Sequence, residues 1–358
     1  MSKMSFSHLL SRIPSLGRRR LERAVTGKDI LLHSEFDIRD VELPEASENA
    51  AGMISHRERL LLFQLTKAHF DGSGFIIDAG MFLGASAVCL AEGLRRNPKC
   101  REIMAGPTFQ RMKPIQGYER GIIKAPKRKN VNLEKRVGDF TYRLGESFVP
   151  IIEKQTENFQ DLVELNIGDF NQAQWNTEDP IEICFIDLAK TPELNQHAFE
   201  ILFPAFIPGK TLLVQQDFFF DRLPWIKVLM GYLDEHFEWL GQVGPSSIYR
   251  YVKEIPPDKF LVDPYRSLSG QERIKLHKIA YDNRLSRRRK FNLDVSLAYL
   301  YGETHGKKRA NAHLKSIEKE FHDHISFTSK FPVPASLRIK RAQMSIKRGK
   351  KVRLPKAS

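Results

Sequence analysis

The sequence is poor in the features that define several classes of protein. Its 358 residues contain three cysteines, Cys89, Cys100 and Cys184, with no C-x-x-C pair and no histidine at zinc-ligand spacing. A disulfide framework and a structural zinc site are therefore not expected, whereas a reducing compartment is. No apolar run approaches the roughly 18 residues of a transmembrane helix. We therefore predict a cytoplasmic protein without a transmembrane segment.

The central part of the chain also lacks net charge. The formal charge of +14 comes from the two ends: residues 1–30 hold seven basic residues and two acids, and residues 335–358 hold nine basic residues and no acid. A nucleic-acid enzyme usually carries a basic face on its folded domain, so nucleic acid is not an expected partner of the body. The basic ends are predicted to be solvated arms or to contact an anionic surface. The Ser- and Arg-rich start leaves an organelle transit peptide as an alternative.

Between these ends, short apolar runs alternate with segments of helical periodicity. The predicted strands cover 75–78, 101–105, 162–167, 181–187 and 211–217, followed by a hairpin of 238–243 and 247–253. The predicted helices cover 85–96, 141–155, 192–206 and 224–237. This alternation predicts an α/β fold with a Rossmann-like, doubly wound, mostly parallel sheet and an antiparallel C-terminal hairpin. The poorly periodic segment 106–136 is predicted to be a lid.

From residue 257 onward the apolar periodicity is helical, which predicts a C-terminal α-helical appendage. The chain then divides into four regions: a basic N-terminal arm at 1–30, the Rossmann-like domain at 50–255, the helical appendage at 257–330 and a basic tail at 335–358.

The segment from Asp78 to Ser86 joins the first predicted strand to a helix and reads Asp-Ala-Gly-Met-Phe-Leu-Gly-Ala-Ser. Glycine lets a ligand approach the backbone closely, and a helix N-terminus offers unpaired N–H groups. A tight structural turn without a ligand is the alternative. The strand before it and the helix after it favour a nucleotide site.

Acids end four of the predicted strands: Asp78, Asp169, Asp187 and Asp217. The carboxyl ends of parallel strands meet at one edge of a sheet, where ligands bind, so these side chains are predicted to share a rim. Acids at strand ends also cap turns and helices, and Asp169 in Gly-Asp-Phe is equally well explained as a turn cap.

With this order of elements in place, residues 55–255 resemble class I S-adenosylmethionine-dependent methyltransferases, and most nearly the macrocin O-methyltransferase type, which acts on sugars and natural products. The resemblance rests on the motif at 78–86, on Gly-Asp-Phe at 168–170, on Phe-Ile-Asp at 185–187 and on Ile-Pro-Gly at 207–209. It implies S-adenosylmethionine as the cofactor and a methyl transfer to an oxygen of a small-molecule or glycan-like acceptor.

The resemblance also implies roles for single residues. The implied cofactor-binding set is Asp78, Gly80, Gly84, Ser86 and Asp169. Phe82 stands where the commoner motif has its central glycine. Asp187 and Asp217 are implied to be catalytic and to hold a magnesium-like divalent cation.

Departures from the family pattern support an alternative. The family's strand-two acid, which binds the ribose hydroxyls, is missing from the predicted second strand, which is followed by Pro107. Ala189 stands at the position of the general base, and Gln216 replaces one acid of the metal-binding pair. The alternative is a catalytically inactive, methyltransferase-like protein that acts as a partner-binding module.

Overall fold

The structure is a computed structural model that describes residues 24–27, 30–126, 132–327 and 334–348. Most of the basic arm and residues 349–358 of the basic tail lie outside the described residues, as do residues 127–131 of the predicted lid. Within the described ranges, no helix is both long and apolar enough to cross a membrane.

One mixed sheet dominates the described part of the chain. The strands are β1 (Ala24–Gly27), β2 (Ile30–His33), β3 (Phe75–Ala79), β4 (Ile115–Glu119), β5 (Glu134–Val137), β6 (Phe140–Arg143), β7 (Val163–Ile167), β8 (Ile181–Ile186), β9 (Leu212–Gln215), β10 (Phe237–Val243) and β11 (Ser246–Tyr251). Nine of these strands form the sheet in the spatial order β1-β2-β10-β11-β9-β8-β3-β4-β7, while β5 and β6 form a separate hairpin. The strands from β9 to β7 are parallel, and β11 is antiparallel to both β9 and β10. The predicted Rossmann-like sheet with an antiparallel hairpin is confirmed.

Helices surround this sheet and continue beyond it. In chain order they are α1 (Glu45–Asn49), α2 (His56–Gln64), α3 (Ala85–Arg95), α4 (Cys100–Ala105), α5 (Pro107–Arg111), α6 (Val149–Thr156), α7 (Pro192–Leu202), α8 (Pro224–Tyr232), α9 (Pro257–Phe260), α10 (Gly270–Lys278), α11 (Arg287–Thr304), α12 (Gly306–Glu320), α13 (His322–Phe327) and α14 (Ala335–Arg348). The predicted C-terminal helices are therefore present.

The two faces of the sheet build two hydrophobic clusters. Neighbouring strand residues point to opposite faces, so Ile76 belongs to one cluster and Ile77 to the other. The cluster of Ile77 continues into the C-terminal helices through Leu297, Leu314 and Ile339. The helices after β11 thus share a core with the sheet.

The second strand of the parallel sheet lies at a different place in the chain from the predicted strand. Residues 101–105 lie in α4, and the strand is β4, inside the segment predicted as a lid. Gln116 and Gly117 interrupt the apolar pattern of β4, yet both are buried because β4 lies between β3 and β7. A Cβ atom at Gly117 would lie 2.0 Å from the sulfur of Met81, so close packing requires glycine there. The predictions of a strand at 101–105 and of a lid over the whole of 106–136 are wrong.

Two further segments differ from their patterns. The predicted helix at 141–155 begins with the end of β6, and α6 starts only at Val149. The first fourteen residues of the basic tail form α14 rather than a solvated arm. Apolar residues at Ile339, Ala342 and Ile346 are buried on one face of α14, and this spacing outweighs the charge of the opposite face.

Candidate functional site

The turn between β3 and α3 has a backbone conformation that glycine favours. Gly80, Phe82 and Gly84 have φ angles of 104°, 50° and 106°, all in the left-handed region. A Cβ atom on Gly80 would lie 2.9 Å from the backbone at 187–188, so the end of β8 approaches this turn closely. Phe82 keeps the left-handed backbone although its side chain is large. The turn therefore keeps the left-handed backbone conformation although Phe82 stands where the commoner motif has glycine.

A cavity of about 500 Å³, which we call the first cavity, opens beside this turn. It lies at the carboxyl ends of β3, β4 and β7, where open α/β sheets bind ligands. Its charged wall residues are Glu119, Arg120 and Asp169. Gly80 and Leu188 border it from the turn and from the loop after β8. The first cavity therefore brings Gly80 and Asp169 together, as the sequence predicted.

Glu119 is the acid that ends the second strand, and the sequence analysis missed it. One carboxylate oxygen accepts a hydrogen bond from the N–H of Phe82 at 2.6 Å. The other accepts from the N–H of Arg120 at 2.8 Å and from that of Gly121 at 3.2 Å. Burial raises the pKa of Glu119, and these backbone donors oppose the rise. Ile-Gln-Gly-Tyr-Glu at 115–119 ends in an acid like the other strands, and this was the signal that could have located it.

Asp169 lies in the wall of the first cavity and also caps a turn. Its Oδ1 accepts hydrogen bonds from the backbone N–H of Asn171 at 3.2 Å and from the Asn171 side chain at 3.0 Å. These bonds hold the pKa of Asp169 below its ordinary value. The turn-capping interpretation is therefore correct, and the cavity position leaves the side chain, 41% exposed, within reach of a ligand.

Asp78 is fully buried behind the turn. Neither carboxylate oxygen accepts a hydrogen bond from any described residue. Burial raises the pKa of Asp78 to about 7, and the nearby hydroxyl of Ser86 opposes this rise. A buried polar group without a partner is unfavourable by about 1–3 kcal/mol. Asp78 is not part of the wall of the first cavity, so its cofactor-binding role stays a prediction.

Gly84 and Ser86 lie outside the wall of the first cavity. A side chain on Gly84 would contact Ile152 and Thr156 of α6 at 3.6 and 3.7 Å, and Ser86 is buried in the first turn of α3. Their cofactor-binding role stays a prediction.

Asp187 and Asp217 meet through a lysine that the sequence analysis did not assign to the site. The Nζ atom of Lys190 donates to Asp187, to Oδ2 of Asp217 at 2.6 Å and to Oε1 of Gln216 at 3.2 Å. The contact forms because β8 and β9 are neighbours, which places residues 187 and 217 side by side. Asp217 has a φ angle of 59°, a left-handed conformation uncommon outside glycine that is enriched at functional sites. We call these residues the Asp–Lys–Asp cluster.

The cluster is electrostatically coupled. Burial raises the pKa of Asp187 to about 7, and Lys190 opposes the rise. Burial lowers the pKa of Lys190, but attraction by Asp187 and Asp217 outweighs it, so the pKa lies above its ordinary value. Lys190 therefore remains a cation between two carboxylates.

The cluster does not fit a divalent cation in this arrangement. The lysine ammonium contacts all three oxygen donors that the predicted metal site would use. Across the described ranges, no group of three or more His, Cys, Asp or Glu residues is placed to hold a metal ion. A positive charge is thus supplied at this position by Lys190 itself.

A second cavity, of about 910 Å³, adjoins Asp217 of the cluster. Gln216 and Asp217 form part of its wall, whereas Leu188, which directly follows Asp187, belongs to the wall of the first cavity. The remaining wall comes from residues 52–58, from the turn after β10, from the start of α11 and from Arg338 of α14. The Asp–Lys–Asp cluster therefore adjoins the second cavity through Asp217, and its Asp187 directly precedes a wall residue of the first cavity.

Comparisons with known proteins give little beyond the fold. No family model matches the chain, and no curated protein matches it. The solved structure of the O-methyltransferase NovP is similar over 57% of this chain and 84% of that chain, with a TM-score of 0.42 and 12% sequence identity. Values this low assign neither a family nor an activity.

Proposed function

We propose that this protein is an S-adenosylmethionine-dependent methyltransferase that methylates an oxygen atom of a small-molecule acceptor. The observation that carries the proposal is the first cavity, a ligand-sized space bounded by the left-handed turn at Gly80 and by the strand-end acid Glu119. The unpartnered, buried Asp78 behind the turn supports it. The acids Glu119 and Asp169 in the wall of the first cavity suit a cationic ligand.

The residues around the first cavity fit a cationic nucleoside. Glu119 would accept a hydrogen bond from one ribose hydroxyl, since a carboxylate offers about four acceptor sites and three are used by backbone donors. Gly80 would allow close approach to the backbone, and Asp169 would contact the base. When bound, S-adenosylmethionine would supply a methyl group that its sulfonium already activates.

Glu119 also bears on the alternative of an inactive partner-binding module. That alternative rested in part on the missing strand-two acid. Glu119 stands at the end of the second strand, where this acid is expected, and this favours cofactor binding. Ala189 at the position of the general base and Gln216 in place of one acid of the metal-binding pair remain as departures.

The Asp–Lys–Asp cluster would act on the acceptor. Asp217 reaches the wall of the second cavity, so its carboxylate would orient a hydroxyl there. Asp187, whose pKa burial raises to about 7, would receive the hydroxyl proton near neutral pH. Lys190 would hold both carboxylates in place, and we therefore propose a reaction that needs no added divalent cation. Three unpaired cysteines are compatible with the reducing cytoplasm that we propose as its compartment.

Calorimetric titration of the full chain with S-adenosylmethionine and with S-adenosylhomocysteine tests the proposal. We expect both ligands to bind at one site, with affinities that added magnesium leaves unchanged. Gly80→Ala should weaken binding at least tenfold, because its Cβ atom would meet the backbone at 187–188.

Gly209→Ala is the matched control, since Gly209 also has a positive φ angle, 79°, but no atom lies within 4 Å of its Cβ position. An absence of binding heat at millimolar ligand would overturn the proposed function. Equal weakening by the two alanine variants would show that backbone strain, not the cavity, causes the loss.

A further inference from the structure

The C-terminal helices carry cations that no acid balances. α14 contains five basic residues and no acid, and the first turn of α12 contains three basic residues and no acid. Of these eight, Arg338 is buried and forms an ion pair with Asp221. The other seven are exposed, and none of them forms an ion pair with an acid in the described ranges.

Four of the seven cations form the outer stripe of α14. Lys340, Arg341, Lys347 and Arg348 are separated by three, four, seven or eight positions or are direct neighbours, so they lie on one side of the helix. The buried residues of α14 occupy the opposite side. Met344 lies between the cations and is 49% exposed. The stripe therefore surrounds an exposed apolar side chain with positive charge.

The other three cations continue this stripe onto α12. They are Lys307, Lys308 and Arg309, and the guanidinium of Arg309 lies over the ring of Tyr301 at 5.2 Å. The Nζ atom of Lys307 donates to the carbonyl oxygen of Lys347 at 2.8 Å, so the start of α12 contacts the end of α14. We call the seven exposed cations of the two helices the basic surface.

The acids closest in sequence to the start of α12 do not neutralise the basic surface. Glu303, three residues before α12, accepts a hydrogen bond from the hydroxyl of Tyr265 at 2.5 Å. Glu318 is the first acid within α12 and lies about 16 Å along the helix axis from Lys307. The basic surface therefore keeps a positive charge.

The stability of the two helices does not explain most of these cations. The first turn of α12 is the positive end of its dipole, where basic residues are unfavourable. Lys340 and Arg341 lie in the middle of α14, beyond the reach of either end of its dipole. Only Lys347 and Arg348, in the last turn of α14, match the sign of the helix end. An external anionic partner accounts for the rest.

We propose that the basic surface docks this protein on an anionic membrane surface. Lysine and arginine side chains are attracted to negatively charged lipid headgroups within about one Debye length. Met344 would enter the headgroup region, as apolar side chains of amphipathic helices do. The segments 328–333 and 349–358, which flank α14 in the sequence, add five basic residues and no acid. This inference does not depend on the proposed function.

The composition of the two helices favours a lipid surface over single-stranded nucleic acid. Proteins that bind single strands stack the bases on aromatic side chains, and neither α12 nor α14 contains phenylalanine, tyrosine or tryptophan. An exposed methionine among cations is instead typical of a helix that lies on a membrane. Duplex RNA, which can bind through its phosphates alone, is therefore the competitor to include in the test.

Cosedimentation of the full chain with lipid vesicles tests the proposal. We expect the chain to bind vesicles of phosphatidylcholine and phosphatidylserine at least tenfold more tightly than vesicles of phosphatidylcholine alone, and added salt should weaken the binding. Each basic residue near such a surface contributes about fivefold in affinity. Combined replacement by glutamine of the four exposed cations of α14 should therefore weaken binding at least 100-fold. Met344→Ser should weaken it by less and leave the salt dependence unchanged.

The matched control removes the same number of charges elsewhere. It replaces by glutamine four exposed basic residues that form no ion pair with a described acid and lie outside both helices: Lys67, Lys99, Arg101 and Lys275. Full vesicle binding by this control, with loss in the α14 variant, supports the inference. Unchanged far-ultraviolet circular dichroism of the α14 variant shows that the loss is not caused by unfolding.

Three results overturn the inference. They are equal binding to the two kinds of vesicle, equal loss in the α14 variant and its control, and tighter binding to a duplex RNA than to the anionic vesicles. Titration of the α14 variant with S-adenosylhomocysteine keeps this test apart from the proposed function, because the basic surface lies outside the wall of the first cavity. Cofactor affinity should therefore equal that of the wild type, whether or not vesicles bind.

Discussion

The two cavities near the Asp–Lys–Asp cluster are built differently. The first lies at the carboxyl ends of three parallel strands, and its acids Glu119 and Asp169 follow directly from strand ends. The second is assembled from segments far apart in the chain, from residues 52–58 to Arg338 of the C-terminal helix α14. The Rossmann-like sheet therefore forms one site by itself, whereas the other requires the chain on both sides of it.

This difference explains what the C-terminal helices contribute. Arg338 forms an ion pair with Asp221 at 2.7 Å, and both side chains are at least nine-tenths buried. The pair ties α14 to the loop after β9 and places a cation in the wall of the second cavity. The sheet thus forms most of the wall of the first cavity, and the C-terminal helices contribute Arg338 and the start of α11 to the wall of the second.

Asp78→Asn tests the buried acid before the Gly80 turn and has the largest expected effect. The pKa of Asp78 is raised from 3.8 to about 7 in the folded chain. Between these values the unfolded chain has lost the proton that the folded chain keeps, so the free energy of unfolding falls as pH rises, and the fall ends above pH 7. Three pKa units correspond to about 4 kcal/mol. Burial also raises the pKa of Glu182, Asp187 and Asp294 to about 7, so these groups contribute to the same decrease. The variant should therefore show a decrease that is smaller by the share of Asp78 when unfolding by denaturant is measured across the same pH range.

Asp139→Asn is its control, because Asp139 has a fully exposed side chain. That variant should keep the wild-type pH dependence. The same slope in Asp78→Asn would contradict a buried, protonated Asp78.

Lys190→Met tests the Asp–Lys–Asp cluster. Without the ammonium, Asp187 and Asp217 repel each other, and we expect methyl transfer to fall about 100-fold, which is about 2.7 kcal/mol. Two carboxylates and the Gln216 oxygen are suitable ligands for a hard cation, so added magnesium should bind the variant and restore part of the rate. Calorimetry with magnesium, alongside rate measurements, checks both effects.

The control is Lys154→Met. It removes an exposed lysine of α6 that forms an ion pair with Glu157, the residue that follows the helix. It should leave the rate and the magnesium response unchanged. A wild-type enzyme that depends on magnesium would refute the role assigned to Lys190.

Glu119→Gln has the smallest expected effect and sharpens the contrast between the cavities. The amide keeps one acceptor oxygen but loses the charge, so affinity for S-adenosylhomocysteine should fall about tenfold, or about 1.4 kcal/mol. Glu134→Gln, at an exposed position of β5, serves as the control. Equal affinities of Glu119→Gln and Glu134→Gln for S-adenosylhomocysteine would contradict the role proposed for Glu119.

Three of the strands that were predicted correctly, β3, β8 and β9, share one property. Runs such as Ile181–Ile186 are buried along their whole length, and a strand covered on both faces shows a continuous apolar sequence. The same reasoning failed for β4, because Gln116 and Gly117 are polar or small while their positions are buried. Their burial depends on Met81 and on the neighbouring strands, which local periodicity does not report.

The candidate site shows the same division. Gly80 and the strand-end acids could be predicted, because a glycine turn between a strand and a helix is a local pattern. Lys190 could not, since its contact with Asp217 joins residues 27 positions apart through the pairing of β8 with β9. Glu119 was missed only because its strand was misplaced.

Short-range patterns of apolar residues, glycines and acids along the chain were thus sufficient for the fold class and for one rim of the sheet. These patterns act locally, through backbone conformation and the burial of single elements. Contacts between distant segments assemble the second cavity, place the lysine between the two acids and order the helix in the basic tail. Such contacts depend on which elements pack together, and that is a property of the whole fold.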